Sequence, residues 1–196
     1  MKVLVYGAGV LGCNLANNLF RAGKNVTLLA RGKWAESIKK DGLRIKKMFS
    51  SRTSVSRVPV VTGLAPEDGY DVIFVAVRYT QIGSVTDALR ANKSKNIVFV
   101  GNNVRAKELA ASLPEKNMMF AFALLAGHRE CDRVVCMDLK KITIGPLPGA
   151  PRCSKAPSLP ESMAASMKPS PSAAFPTASA ARRFSPCILP ASSPWR

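Results

Sequence analysis

Residues 1–12 read Met-Lys-Val-Leu-Val-Tyr-Gly-Ala-Gly-Val-Leu-Gly, and this stretch decides the fold. A short apolar run, residues 2–6, enters a turn with glycines at 7, 9 and 12, and a helical pattern follows at once. In that order each glycine has a physical task at a dinucleotide site. The first permits the tight turn, the second lets a pyrophosphate approach the backbone, and the third lets helix and strand pack closely. The helix that follows aims its unpaired N–H groups and the positive end of its dipole at the phosphates.

Outward from this turn, the first helix is predicted from Val10 to Ala22. Leu11, Leu15 and Leu19 recur every four positions there, and Gly23 is placed to end it. Val26–Ala30 (Val-Thr-Leu-Leu-Ala) reads as a second strand, completing one β-α-β unit. An acidic residue about 20 positions past the glycine turn would hydrogen-bond the ribose 2′-hydroxyl of NAD. This chain instead has Arg31, Gly32 and Lys33, with no carboxylate until Glu36. A guanidinium makes forked, charge-assisted contacts to a phosphate, so the position favours NADP(H). A solvated loop arginine is the alternative reading.

The rest of the ordered part repeats the alternation. Asp71–Val77 is the clearest buried strand, and Arg78 emerges at its carboxyl end, where ligands of parallel sheets bind. A helix follows with Ile82, Val85 and Leu89 on one face. Asn96–Val100 is the next strand and ends in Gly101-Asn102-Asn103. Residues 104–113 read as helix and Pro114 as its break. The run Asn117–Leu125 and the shorter Lys141–Ile144 read as strands. Between Lys39 and Arg57 lies a basic, serine-rich stretch flanked by Leu43–Ile45 and Val58–Val61. It suggests a loose connection or a strand pair at the sheet's edge. The whole implies an α/β fold, a doubly wound parallel sheet of Rossmann type. Its carboxyl-end loops (7–12, 31–33, 78–81 and 101–103) should converge on one crevice.

Composition divides the chain. Residues 151–196 hold 9 Pro, 10 Ser and 9 Ala among 46 residues, without an apolar period, so this tail cannot bury enough surface to order itself. The expected organisation is a nucleotide-binding domain over 1–150 and a low-complexity tail over 151–196. The formal net charge of +17 favours anionic partners, with a solvated basic surface as the bland alternative. No aromatic platform accompanies the basic stretch, which argues against a nucleic-acid partner. The five cysteines show no metal-type pairing, and their odd number without an export signal points to a reducing, cytoplasmic setting. Asn14, Asn17 and Asn18 break the N-terminal apolar run and exclude a signal peptide. No apolar stretch is long enough to span a bilayer, which implies no membrane partner.

The four loops together resemble the N-terminal, NADP-binding domain of the ketopantoate reductase (2-dehydropantoate 2-reductase) family. The likeness covers roughly residues 1–150. It rests on the glycine turn, Leu-Leu-Ala-Arg at 28–31, Val-Ala-Val-Arg-Tyr-Thr-Gln at 75–81, Gly-Asn-Asn at 101–103 and Ile-Thr-Ile-Gly at 142–145. It implies that the turn formed by Gly7, Ala8, Gly9, Val10, Leu11 and Gly12 holds the pyrophosphate and that Arg31 takes the 2′-phosphate. It implies that Arg78 and Gln81 lie along the cofactor, with arginine where lysine is usual. Asn102 matches the residue that meets both nicotinamide and substrate, although a turn residue capping the next helix explains it equally well. Asn103 stands where glycine is usual, and Ala126 aligns with a further backbone contact to the cofactor. His128, the only histidine, matches no catalytic position and reads as a surface or loop residue.

The resemblance implies hydride delivery from NADPH to the ketone of a small 2-oxo acid such as 2-dehydropantoate, giving the 2-hydroxy acid. The family takes its general-acid lysine and its substrate-holding glutamate and serine from a helical C-terminal domain. Here Lys155, Lys168 and Glu161 lie in a segment with no helical period, so no catalytic residue is assigned. The abrupt switch after Gly149 suggests a frameshifted or truncated end. Apolar surface exposed near the crevice would then promote homo-oligomers. Two other functions compete: a non-catalytic NADP-binding module or remnant, and a related two-domain dehydrogenase acting on another oxo or hydroxy acid.

Overall fold

The computed structural model describes residues 1–102 and 106–146. The described residues form fourteen elements, with strands and helices alternating except across β3–β6 and β8–β9: β1 (Lys2–Tyr6), α1 (Val10–Arg21), β2 (Asn25–Leu29), α2 (Gly32–Asp41), β3 (Leu43–Lys47), β4 (Thr53–Ser56), β5 (Val60–Val61), β6 (Val72–Val75), a single 3-10 turn (Tyr79–Gln81), α3 (Ile82–Ala91), β7 (Asn96–Val100), α4 (Ala106–Ser112), β8 (Asn117–Arg129) and β9 (Val134–Pro146). The strands form one sheet in the order β4-β3-β9-β8-β7-β6-β1-β2-β5.

The half containing β1, β2, β5, β6, β7 and β8 is parallel throughout, and its inner strands are buried on both faces, as apolar runs such as Val72-Ile-Phe-Val require. Two helices cover each face. Cys13, Leu15, Ala16 and Leu19 of α1 pack with Trp34, Ala35 and Ile38 of α2 against Val3, Val5, Leu28, Phe74 and Val98. Val85 and Leu89 of α3 and Leu109 of α4 pack on the opposite face against Leu4, Ile73, Val75, Ile97 and Phe99. The doubly wound α/β expectation therefore holds.

The other end departs from a purely parallel sheet. β8 and β9 are antiparallel, as are β3 and β4, and β3 joins β9 in parallel through Ile45 opposite Val134. This end curls over α1, which touches β3, β4, β8 and β9 as well as β2. α1 is polar on the covered side for that reason. Ser56 Oγ donates to Asn17 Oδ1 at 2.9 Å and the Cys136 thiol donates to Asn14 Oδ1 at 3.7 Å, both buried.

Several expectations change here. A strand pair does sit at the sheet's edge, but its members are β3 and β4. Val60–Val61 belongs to the opposite edge, beside β2. The run expected to end at Leu125 continues to Arg129. Lys141–Ile144 lies in the second half of a 13-residue strand that starts at Val134 with the apolar run Val-Val-Cys-Met, whose Val134 and Cys136 are buried in the core. α2 carries only three buried residues among seven polar or glycine positions, too few to mark it in the sequence. The expected helix 104–113 is seen as Ala106–Ser112; residues 103–105, and with them Asn103, lie outside the described residues. So do Gly149, Lys155, Glu161, Lys168 and the rest of the tail.

At the amino edge, away from the crevice, Asn92 donates to the carbonyls of Ala65 and Asp68, both at 2.7 Å. The Lys116 ammonium donates to the carbonyls of Asn92 and Ser94. These bonds fix the loops that enter β6, β7 and β8.

Candidate cofactor site at the carboxyl edge

Parallel register puts the carboxyl ends of four strands side by side. Tyr6 is opposite both Leu29 and Val75, Val75 is opposite Phe99, and Val100 is opposite Ala121. The loops that follow β1, β2, β6 and β7 therefore leave one edge of the sheet together. Backbone bonds tie them: Gly7 donates to the Leu29 carbonyl at 3.2 Å, Ala76 to Tyr6 at 2.8 Å and Gly101 to Ala121 at 2.9 Å.

The three glycines of the turn differ in what surrounds them. Gly7 has φ +111°, and a Cβ there would stand 2.7 Å from the Ala76 carbonyl oxygen. A Cβ on Gly12 would stand 1.9 Å from the Gly7 carbonyl oxygen. Gly9, the N-cap of α1, has nothing within 4 Å of that position. Two glycines thus serve close packing, while the middle one faces open space beside the first turn of the helix. No acidic residue occupies that first turn. The geometry fits an anionic group of a dinucleotide lying on the backbone at Gly9, Val10 and Leu11.

Arg31 is the N-cap of α2, and its side chain is exposed; α2 also lacks an acidic residue in its first turn. Among the described residues the Arg31 guanidinium makes no ion pair. Arg78 is the exposed N-cap of the 3-10 turn, and Gln81, at the end of that turn, donates its N–H to the Arg78 carbonyl at 2.8 Å. Tyr79, between them, is half exposed. Asn102 is exposed, directly after Gly101, whose φ is +136°. Ala126 is on β8, five residues past the point where β7 ends, opposite Met137 of β9. The structure so gathers Gly7–Gly12, Arg31, Arg78, Gln81 and Asn102 at one edge, with Ala126 on the strand that rises beyond it.

Two residues that the sequence does not single out complete the arrangement. Trp34, buried on α2, donates from Nε1 to the Ala8 carbonyl at 3.1 Å. Arg129, the last residue of β8, places its guanidinium over the Trp34 ring, 5.3 Å from the centroid. Neither carries a local signal: Trp34 lies on a helix with only three buried residues, and Arg129 ends a strand among exposed positions. Cys13, beneath them in α1, is sealed from solvent, and burial pushes its thiol up to about 12.

His128 does not reach the crevice loops. Its exposed ring lies 3.5 Å from the Glu130 carboxylate, which also pairs with Arg133 at 3.1 Å. Asp132 in the same turn binds Arg133 and Arg44 of β3, and those guanidinium groups hold its carboxyl below the usual range. A groove of about 410 Å³ between α3 and α4, lined by Tyr79, Ile82, Arg90 and Leu109 among others, lies outside the glycine turn. Half-exposed Phe122 and Leu124 follow Phe120 along the β8 face that α3 and α4 leave bare, and Phe49 protrudes from the β3–β4 turn. No helix of the described residues is long and apolar enough to cross a membrane.

The family described as ketopantoate reductase PanE/ApbA matches residues 3–149. An uncharacterized oxidoreductase, YkpB, of Bacillus subtilis (strain 168) is 30% identical over 122 residues, covering 61% of this chain and 39% of that protein. The 2-dehydropantoate 2-reductase of Pyrococcus horikoshii is 33% identical over 98 residues, 50% of this chain and 30% of that protein. The chain thus spans well under half the length of these curated relatives. Among solved structures, a PanE/ApbA family ketopantoate reductase from Ralstonia eutropha JMP134 superposes with a TM-score of 0.68 at 25% identity, covering 85% of this chain and 54% of that one. A D-mandelate dehydrogenase in complex with NADH shares the fold, with a TM-score of 0.65 at 16% identity, covering 85% of this chain and 52% of that one. On the match over residues 3–149, the chain belongs to the ketopantoate reductase PanE/ApbA family.

Proposed function

We propose that the chain is the cofactor-binding part of an NADP(H)-dependent oxidoreductase that reduces a small 2-oxo acid, 2-dehydropantoate being the first candidate, to its 2-hydroxy acid in the cytoplasm. The observation that carries this reading is the pairing of an open Gly9 backbone with Arg31 at the start of α2 on the same sheet edge. The bound nicotinamide would supply the hydride. Gly7–Gly12 would seat the pyrophosphate, and Arg31 would take the 2′-phosphate by charge-assisted hydrogen bonds. Arg78 and Gln81 would lie along the cofactor, and Ala126 would offer it a backbone contact. Asn102 would orient the nicotinamide and the substrate at the end of β7. The residue that protonates the developing alkoxide is not assigned.

The composition switch and the end of the family match fall together at residue 149, which supports a cofactor domain over 1–150 and a separate low-complexity tail. Sequencing the gene in all frames beyond codon 150 tests whether a frameshift put that tail there. A non-catalytic NADP-binding module fits this polypeptide too. The likeness to a D-mandelate dehydrogenase bound to NADH favours one further alternative, a different oxo acid as substrate.

The test is titration of the full chain with NADPH and NADH, followed by an assay of ketopantoate reduction. NADPH binding with turnover supports the reductase. Binding without turnover supports the module, and failure to bind either dinucleotide overturns both.

A further inference from the structure

Arg129 is held unlike the other basic residues around the crevice. β8 carries it past the carboxyl edge of the sheet, and the curl over α1 brings it down on α2. There its guanidinium rests on the indole of Trp34, whose N–H is itself bonded to the Ala8 carbonyl of the glycine turn. Three distant segments meet at one ring.

The carboxylates closest in sequence are engaged elsewhere. Glu130 pairs with Arg133 and faces His128, and Asp132 pairs with Arg44 and Arg133. Among the described residues no carboxylate forms an ion pair with Arg129. Its charge is felt by the Cys13 thiol in α1, close behind the glycine turn. A guanidinium resting on an aromatic face keeps its in-plane N–H donors available for a second partner, so ring contact and anion contact do not compete. Trp34 follows Arg31, the N-cap of α2, by three residues, so the ring under Arg129 belongs to the first turn of the helix that Arg31 begins.

We infer that Arg129 is a second guanidinium for the 2′-phosphate of the adenosine ribose, with Trp34 as the platform that holds it opposite Arg31. This rests on the cofactor being NADP(H). The pyrophosphate is served by the glycine turn, whereas the Arg129–Trp34 pair stands over the helix that Arg31 begins. Arg129 is then a specificity-determining residue supplied by the far arm of the sheet.

The experiment compares dissociation constants for NADPH and NADH in the full chain and in its Arg129→Met, Arg129→Lys and Arg31→Ala variants. Arg129→Met should weaken NADPH tenfold or more and NADH less than twofold. Arg129→Lys, which keeps the charge but loses the fork, should fall between. Equal weakening for both cofactors would make Arg129 a strap on Trp34 alone and overturn the inference, as would unchanged NADPH binding. A second readout needs no variant: NADPH should protect Arg129 from phenylglyoxal, followed by peptide mass mapping, while NADH should not. Equal protection is the overturning result. If the unaltered chain shows no preference for NADPH, the cofactor reading itself fails. If Arg31→Ala abolishes a real preference and Arg129→Met leaves it intact, only the role of Arg129 fails.

Discussion

Gly12 lies so close under Gly7 that a Cβ on the first would stand 1.9 Å from the carbonyl oxygen of the second. The turn and the helix can pack only while position 12 has no side chain. Gly12→Ala is therefore expected to destabilise the protein, by roughly 1–3 kcal/mol as overpacking usually does, and to lose dinucleotide binding as the turn shifts. Urea denaturation with a parallel NADPH titration checks both.

Gly9→Ala is the informative partner, because nothing surrounds that position within 4 Å. The expected outcome is a wild-type denaturation midpoint together with a large loss of dinucleotide affinity. If Gly9→Ala binds NADPH normally, the pyrophosphate does not lie there.

Arg31→Ala should weaken NADPH by roughly 10- to 100-fold, the range for losing charge-assisted hydrogen bonds to a phosphate, and NADH by less than threefold. Isothermal titration at two ionic strengths checks this, and the wild-type preference should shrink as salt rises. Equal loss for both cofactors would remove Arg31 from the 2′-phosphate.

Cys13 should resist alkylation in the folded protein, since its thiol is buried and its pKa is raised to about 12, whereas exposed Cys131 should react readily. Mass mapping after iodoacetamide treatment distinguishes them. The same shift has a pH consequence. The folded state disfavours the Cys13 thiolate, so its contribution to stability is whole below the unfolded value of about 9 and is lost as pH rises toward 12. Cys13→Ala should lessen the fall in stability across that window.

Ser56→Ala should cost about 1–3 kcal/mol by leaving the buried Asn17 Oδ1 without the hydroxyl that donates to it, with dinucleotide affinity unchanged. A lowered urea midpoint with a normal NADPH isotherm is the expected pair of results.

What could be read from the sequence follows from how local each signal is. β1, β2, β6 and β7 are short apolar runs buried on both faces, and the glycine turn announces the first crossover, so the wound half and its carboxyl-edge loops were accessible. Arg31, Arg78, Gln81 and Asn102 could be located because each lies in the loop or turn that follows such a run. The first half of β9 opens on a similar apolar run, Val-Val-Cys-Met, but its place beside β3 and against α1 could not be read, because both partners are distant in sequence. The same holds for the β3–β4 pair, whose register partner is about ninety residues away. Trp34 and Arg129 illustrate the limit most sharply: neither has a motif, and their meeting depends on how far β8 runs and how the sheet curls.

That distant pairing also sets an order of assembly. As the chain leaves the ribosome, Leu43 and Ile45 are available long before Val134, the residue that Ile45 must sit beside. Until β9 arrives, β3 is paired on one side only, with Ile45 uncovered on the other, and Asn14 of α1 lacks the Cys136 thiol that donates to it. Closing so long a loop is slow compared with forming the neighbouring β-α-β unit. A nascent chain whose wound half forms first would thus hold a built nucleotide turn while β3 still lacks its partner β9, the stage at which misassembly would act.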